Sequence, residues 1–219
     1  MLPSFREKYN YPKYHINRVD NMRFYSVSEE INVPSVTSIL RKTRLSGSND
    51  DRASQTKTVA IDIGNLMHKY LEHYISKDEV FYDVSVNYDI AKKLAHIIID
   101  NFINGLDEIW GSEASVLYKN LYAGTIDLIG ISNDKLSIID FKSSYRKKTK
   151  NEMDEYFIQL AAYSVAHDWQ HNTNIDSATI FLAIRNGDFE KTTISSDEFF
   201  YYKKKWFERL DAYSRLLEK

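Results

Sequence analysis

The sequence predicts a single mixed α/β domain in which a central β-sheet is flanked by α-helices. Three observations carry that expectation. Residues 122–142 hold two runs rich in Ile and Leu on either side of Ser132-Asn133-Asp134-Lys135, a cluster of turn formers, and so read as a β-hairpin. Apolar residues recur at helical spacing in residues 60–76, 89–102, 152–169 and 199–217. The resulting order of helix, strand, hairpin, helix, hairpin, helix suits a mixed sheet covered by helices. With 219 residues, 43% of them hydrophobic, and only seven Gly and three Pro, the chain can bury a sizeable core.

Composition narrows the function classes. The 29 basic and 31 acidic residues give a net charge of −2, so any nucleic-acid contact must use a local basic groove rather than a global field. The chain has no cysteine, which excludes disulfides, thiolate zinc sites, cysteine nucleophiles and an iron–sulfur cluster, and fits a reducing compartment. No apolar run is long enough to span a bilayer, and the opening residues lack the charged-then-apolar layout of a signal peptide. The expectation is a soluble cytoplasmic protein without a membrane partner.

In chain order, residues 1–33 read as an N-terminal arm with one short strand at 24–27, and residues 34–219 as one domain. Arg6, Lys8, Lys13, Arg18 and Arg23 of the arm are either phosphate contacts or ordinary surface charges. Pro34-Ser35 ahead of Val36, Ile39 and Leu40 is a helix start with Ser35 as N-cap. Residues 44–57 are polar and read as a mobile loop. The helix at 60–76 turns Ile63, Leu66, Met67, Tyr70, Leu71 and Tyr74 inward, with Gly64, His68 and Glu72 one turn apart along its flank and His73 at the surface. Asp89 reads as the N-cap of a helix burying Ala91, Leu94, Ala95, Ile98 and Phe102. Glu113 precedes a short strand at 114–118 that leads into the hairpin.

If the four turn residues are the hairpin loop, Ile131 faces Leu136. Counting back then sets Asp127 opposite Asp140, with Lys142 on the same face as Asp140. Like charges directly opposite on a sheet repel, and a divalent cation such as Mg²⁺ or Mn²⁺ removes the conflict. The alternative is an edge strand with two solvated carboxylates. Arg146, Lys147, Lys148 and Lys150 follow as the densest basic run, either a solvated face or a set of phosphate contacts. The helix at 152–169 buries Phe157, Leu160, Ala161, Ser164 and Val165 and projects Gln159 and Tyr163 from its edge. Asn186-Gly187 marks a second hairpin, Ser195 and Glu198 match a capping box, and the last helix repeats Phe199, Tyr202, Trp206, Leu210, Tyr213 and Leu217.

Asp127, twelve intervening residues and then Asp140-Phe141-Lys142 resembles the signature of the PD-(D/E)xK nuclease superfamily. Ala123-Gly124-Thr125-Ile126-Asp127, Gly64-x₃-His68-x₃-Glu72 and Gln159-x₃-Tyr163 are similar to motifs of its RecB-like branch, and residues 34–40 resemble the first helix of the mitochondrial genome maintenance exonuclease group. The resemblance implies a restriction-endonuclease-like fold and a metal-dependent DNA exonuclease that prefers single-stranded ends. It implies Asp127 and Asp140 as chelators of Mg²⁺ or Mn²⁺, His68 and the Phe141 carbonyl as further ligands, and Lys142 as the group that orients or deprotonates the attacking water. Gln159 and Tyr163 would support the site and contact DNA, with Arg146, Lys147 and Lys148 on its phosphates. Glu113 lies near an acidic position of the family, and Glu72 and Gly64 belong to its first motif. Implied partners are single-stranded DNA and proteins of replication, recombination or repair, in a bacterial or phage-infected cell rather than a mitochondrion. Two other readings stay open: a duplex-processing nuclease or endonuclease of the same superfamily, and a noncatalytic DNA-binding subunit.

Overall fold

The computed structural model of the chain describes residues 3–44, 54–78 and 81–218. Its strands are β1 (Ser4–Phe5), β2 (His15–Val19), β3 (Met22–Ser26), β4 (Asn32–Pro34), β5 (Glu108–Tyr118), β6 (Tyr122–Ser132), β7 (Lys135–Ser144), β8 (Ser177–Ile184) and β9 (Phe189–Ser195). The helices are α1 (Val36–Lys42), α2 (Ser54–Ser76), α3 (Tyr88–Asn101), α4 (Lys150–His171) and α5 (Ser196–Leu217). Six strands form one mixed sheet in the order β1-β5-β6-β7-β8-β9, and β2-β3-β4 form a small antiparallel sheet. The mixed α/β architecture expected from the sequence is the one found. Among the described residues, no helix is long and apolar enough to cross a membrane.

Each face of the large sheet carries its own core. Ile63, Met67 and Leu71 of α2 and Ala91, Ala95 and Ile98 of α3 pack on Leu128, Ile139, Phe141 and Phe181. On the other face, Ile39, Phe157, Leu160, Trp206 and Tyr213 from α1, α4 and α5 cover Tyr122, Ile126, Ile138 and Ile180. β8 is buried along its whole length, as a strand covered on both faces must be. It pairs parallel with β7 and antiparallel with β9, and Gly187 takes φ 98 in the β8–β9 turn, where a side chain would be strained. Leu217, expected to extend the buried stripe of α5, is exposed, and the stripe ends at Tyr213.

The central hairpin keeps the expected register, with Ile131 opposite Leu136. Its loop is shorter than expected, because Ser132 also pairs with Lys135 and leaves a two-residue turn, Asn133 and Asp134 at φ 51 and 59. The recorded ladder ends at Leu128 and Ile139. Past that pair the strands part. β6 stays with β5 as far as Tyr122 and forms a parallel bridge from Ala123 to Ser35, while β7 stays with β8 as far as Ser144.

Several local expectations are corrected. Residues 3–23 are not a free arm: β1 adds to the edge of β5, β2 pairs with β3, and Tyr11 enters the core, its hydroxyl 3.0 Å from the buried His167 Nε2. These strands are too short to show a period. α2 begins at Ser54 rather than 60, and residues 45–53 of the expected mobile loop lie outside the described residues. The N-cap of α3 is Asn87, not Asp89. Ser195 makes no capping hydrogen bond, because Ser196 takes φ 53; the capping box that forms is Thr149 with Glu152 at the head of α4. Ser35 caps α1 as expected, accepting from the Ser38 N–H.

Burial, with help from His171, pushes the His167 imidazole down to about 3 from its ordinary 6.5. The folded protein therefore binds fewer protons here than the unfolded chain, and the stability this group contributes above pH 6.5 is lost as pH falls toward 3. In urea titrations, wild type should lose up to about 1.4 kcal/mol per pH unit below pH 6.5 relative to His167→Gln. Parallel pH profiles for the two proteins would contradict this.

Candidate active site

The parting of β6 and β7 opens the sheet beside Asp127 and Asp140. Asp127 lies one residue beyond the last pair on β6, and its Oδ2 accepts the Phe141 backbone N–H at 2.7 Å. That bond spans the split and fixes the carboxylate. Phe141 anchors the opposite side, its ring 1% exposed in the core beneath α2 and α3. Asp140 is 2% exposed and forms an ion pair through Oδ2 with Lys142 Nζ, while Oδ1 accepts from Gln159 Nε2 at 3.3 Å. Gln159 Nε2 also lies 3.0 Å from the Tyr163 hydroxyl.

α4 reaches the site through a contact that depends on one glycine. A Cβ built on Gly124 would lie 2.2 Å from Tyr163 Cε1, so no side chain fits while Tyr163 keeps its place. Residues 123–127 thus bring together a glycine that admits Tyr163, a threonine that meets Tyr25, and Asp127. The Tyr25 hydroxyl lies 3.1 Å from Thr125 Oγ1.

α2 supplies the opposite wall. His68 Nδ1 stands 3.5 Å from Asp127 Oδ2 and 3.8 Å from Glu113 Oε1. Glu113 reaches this position from within β5, which is longer than its sequence suggested, and its backbone is left-handed at φ 48. The ladder pairs Ser112 with Leu128 and Ala114 with Ile126 but records no pair between Glu113 and Asp127, the point where the two carboxylates face one site. Gly64, one turn before His68, lies against β7: a Cβ there would be 3.7 Å from Ser143 Oγ. Glu72, one turn after, is exposed, and the cluster forms without it. His73 stacks on Phe81 with ring centroids 5.4 Å apart.

Charges in this site are strongly interdependent. Burial would lower the His68 imidazole, but the Asp127 carboxylate and the hydrogen bond and charge of Glu113 outweigh it and hold it up at about 9. Burial raises Asp140 to about 6 against the opposing pull of Lys142, and it raises Asp127 despite His68. Lys142 is also raised: burial opposes its charge, and Asp140 and Asp127 restore it. Two protonated bases therefore stand among three carboxyl groups.

The donor set fits a divalent cation. Atoms bound to one such ion at about 2.0–2.6 Å stand no more than about 5 Å apart. The ligand atoms of His68, Glu113 and Asp127 all lie within 4.8 Å of one another. The basic run behind β7 is partly committed elsewhere: Arg146 and Lys148 pair with Glu152 at 2.9 and 3.2 Å, while Lys147 is exposed. Hydrogen bonds from Arg146, Thr149 and Lys148 outweigh burial and lower Glu152 to about 2.

Residues 108–217, half of the chain, match the model of the PD-(D/E)XK nuclease superfamily. The chain belongs to this superfamily. Its mixed sheet flanked by helices is the superfamily's restriction-endonuclease-like fold. As a PD-(D/E)XK protein it is similar to mitochondrial genome maintenance exonuclease 1 of Mus musculus, 26% identical over 206 residues that cover 83% of this chain and 59% of that protein. It is also similar to mitochondrial genome maintenance exonuclease 1 of Xenopus tropicalis, 29% identical over 113 residues, 48% of this chain and 32% of that one. The chain thus spans about three fifths and one third of these relatives. A solved phage-related exonuclease from Haemophilus somnus matches with a TM-score of 0.40 and 14% identity, over 84% of this chain and 94% of that one.

From the sequence, Glu113 only precedes a short strand and lies near an acidic position of the family; its place beside His68 depends on a left-handed backbone that no local pattern announces. Sequence reasoning did not anticipate the Phe141 N–H as a clamp on Asp127.

Proposed function

We propose that the protein is a divalent-metal-dependent deoxyribonuclease that removes nucleotides from DNA ends and prefers single strands. The observation that carries this reading is the cluster of His68, Glu113 and Asp127 at the strand split, with Asp140 and its ion pair to Lys142 on the neighbouring strand. Asp127, Asp140, His68 and Glu113, with the carbonyl of Phe141, would hold the cation, and an imidazole among the carboxylates favours Mn²⁺ over Mg²⁺. When bound, the cation supplies Lewis acidity, lowering the pKa of its water and polarising the phosphate. Lys142 brings positive charge to where negative charge builds on phosphorus. The Phe141 N–H and Gln159 keep the two carboxylates in place, and Tyr163 supports Gln159. Exonucleolytic action and single-strand preference rest on the likeness to the mitochondrial exonucleases. A role in DNA replication, recombination or repair in a bacterial or phage-infected cytoplasm is part of the same reading.

End-labelled single-stranded and duplex oligonucleotides, incubated with Mg²⁺, Mn²⁺ or EDTA, test the proposal. Mononucleotides or short products that need metal and form faster from single strands are expected. Discrete internal cuts in circular DNA would instead indicate an endonuclease, and binding without cleavage under any metal would indicate a noncatalytic subunit.

Glu113 gives a second test. A left-handed non-glycine residue costs about 1–2 kcal/mol, part of which glycine recovers. Glu113→Gly should therefore melt no lower than wild type yet cleave about 100-fold more slowly. A lower melting temperature with cleavage intact would make Glu113 structural.

A further inference from the structure

The small sheet carries an unresolved electrostatic conflict. Arg18 of β2 and Arg23 of β3 are directly opposite each other in the antiparallel register. Among the described residues, no carboxylate lies within ion-pair distance of either side chain, and no hydrogen bond from either guanidinium is present. Like charges at this position destabilise a ribbon. Lys8 of the same N-terminal segment differs in this respect, since it lies 3.4 Å over the Trp110 ring.

Strand periodicity fixes where the pair points. Arg23 and Tyr25 are two residues apart on β3 and share a face, and Arg18 and Ile16, their cross-strand partners, share it too. On β6, Ala123, Thr125 and Asp127 likewise share a face. The Tyr25 hydroxyl meets Thr125 Oγ1, and Tyr25 packs with Ala123. The face bearing both arginines is therefore joined to the face bearing Asp127. Ser35, which bridges Ala123 and donates its N–H to the Arg23 carbonyl, sets Arg23 at the Ala123 end of this face, two steps of about 7 Å along β6 from Asp127. Ile16 is 44% exposed, so this face, closed at Tyr25, is open toward β2.

We propose that Arg18 and Arg23 form a backbone-phosphate clamp for the nucleic-acid strand whose scissile linkage lies at Asp127. Two opposed guanidinium groups without protein counter-ions suit successive phosphates, each accepting from one fork. The contact reads no base, so it sets position and affinity rather than sequence. This inference rests on the nuclease reading of the adjoining site, but its test does not depend on cleavage.

The probe is a fluorescein-labelled, single-stranded oligodeoxynucleotide titrated in EDTA over a range of salt concentrations. Arg18→Ala/Arg23→Ala should bind it roughly tenfold more weakly at moderate salt, and the slope of log affinity against log salt should fall by about 1.4, the value for two lost single-strand phosphate contacts. Arg18→Lys/Arg23→Lys should keep the slope. Arg18→Thr alone should raise the melting temperature by relieving the repulsion while weakening binding, a combination that a purely structural arginine would not produce. Unchanged affinity and slope in the alanine pair would overturn the clamp. Failure of the nuclease reading would look different: intact wild-type binding through these arginines, with no cleavage under any metal.

Discussion

Asp140→Asn is expected to abolish cleavage while making the metal-free protein more stable. The folded site raises this carboxyl group to about 6 from 3.8, so keeping it ionised at neutral pH costs on the order of 3 kcal/mol even with Lys142 alongside. A raised acid contributes its stability below the unfolded value and loses it as pH climbs from 3.8 through 6. The neutral isostere escapes that loss. In EDTA, its advantage over wild type should be full above pH 6 and vanish toward pH 4. Cleavage should fall by at least about 10²–10³-fold, the effect of removing one preorganised charged group from a reaction centre. Lys142→Ala should match that loss of activity but not the gain in stability, since it leaves a buried carboxylate without its partner. Oligonucleotide cleavage and urea unfolding of both variants provide the check. Either variant cleaving at the wild-type rate would remove these residues from the chemistry.

Gly124→Ala is expected to damage both stability and activity although it touches no charged group. The new methyl would lie 2.2 Å from Tyr163 Cε1 and 2.8 Å from Cδ1. Tyr163 is 5% exposed, and its hydroxyl is joined to Gln159, so the ring cannot swing aside without pulling at Asp140. Overpacking of this kind costs about 1–3 kcal/mol, which for a chain of this size lowers the melting temperature by roughly 3–10 °C. A displacement of about 1 Å at the carboxylates would slow cleavage by about 10²-fold. Truncating the obstacle gives the internal control. Gly124→Ala/Tyr163→Ala should lose less stability than the two single variants together, because the second change removes the clash. Strict additivity would mean that the glycine serves some other purpose.

What the sequence revealed and what it hid divide along the range of the interactions involved. The alternation of β6 and β7 fixed the register as far as Leu128 and Ile139, so counting set Asp127 and Asp140 next on either strand, but it did not foresee that the strands part there and leave the two unpaired in the ladder. Helical spacing likewise exposed His68 on α2 and the Gln159–Tyr163 edge of α4. The small sheet was hidden because its strands have three to five residues and are held by distant partners such as Ser35 on Ala123 and Tyr25 on Thr125. β5 was read as half its length because a register shift between Ile109 and Gly111, and then the left-handed Glu113, interrupt its alternation. Ser195 and Glu198 had the spacing of a capping box as good as that of Thr149 and Glu152, but the turn at Ser196 set the first out of alignment. Local composition could not tell these two cases apart.

The turn at Asn133 and Asp134 behaves as the site's ruler. It lies at the far end of the hairpin, six residues or more from Asp127 and Asp140, yet the length of that loop decides which residue of β7 arrives beside Asp127. A single residue added there, if transmitted along the ladder, would bring Ile139 or Phe141 to the place of Asp140 and carry Lys142 to the opposite surface of the sheet. An insertion absorbed as a bulge would change nothing at the split. The turn therefore tolerates exchanges among Asn, Asp and Gly but not a change of length, and chemistry at one end of the ribbon is held in calibration by two left-handed residues at the other.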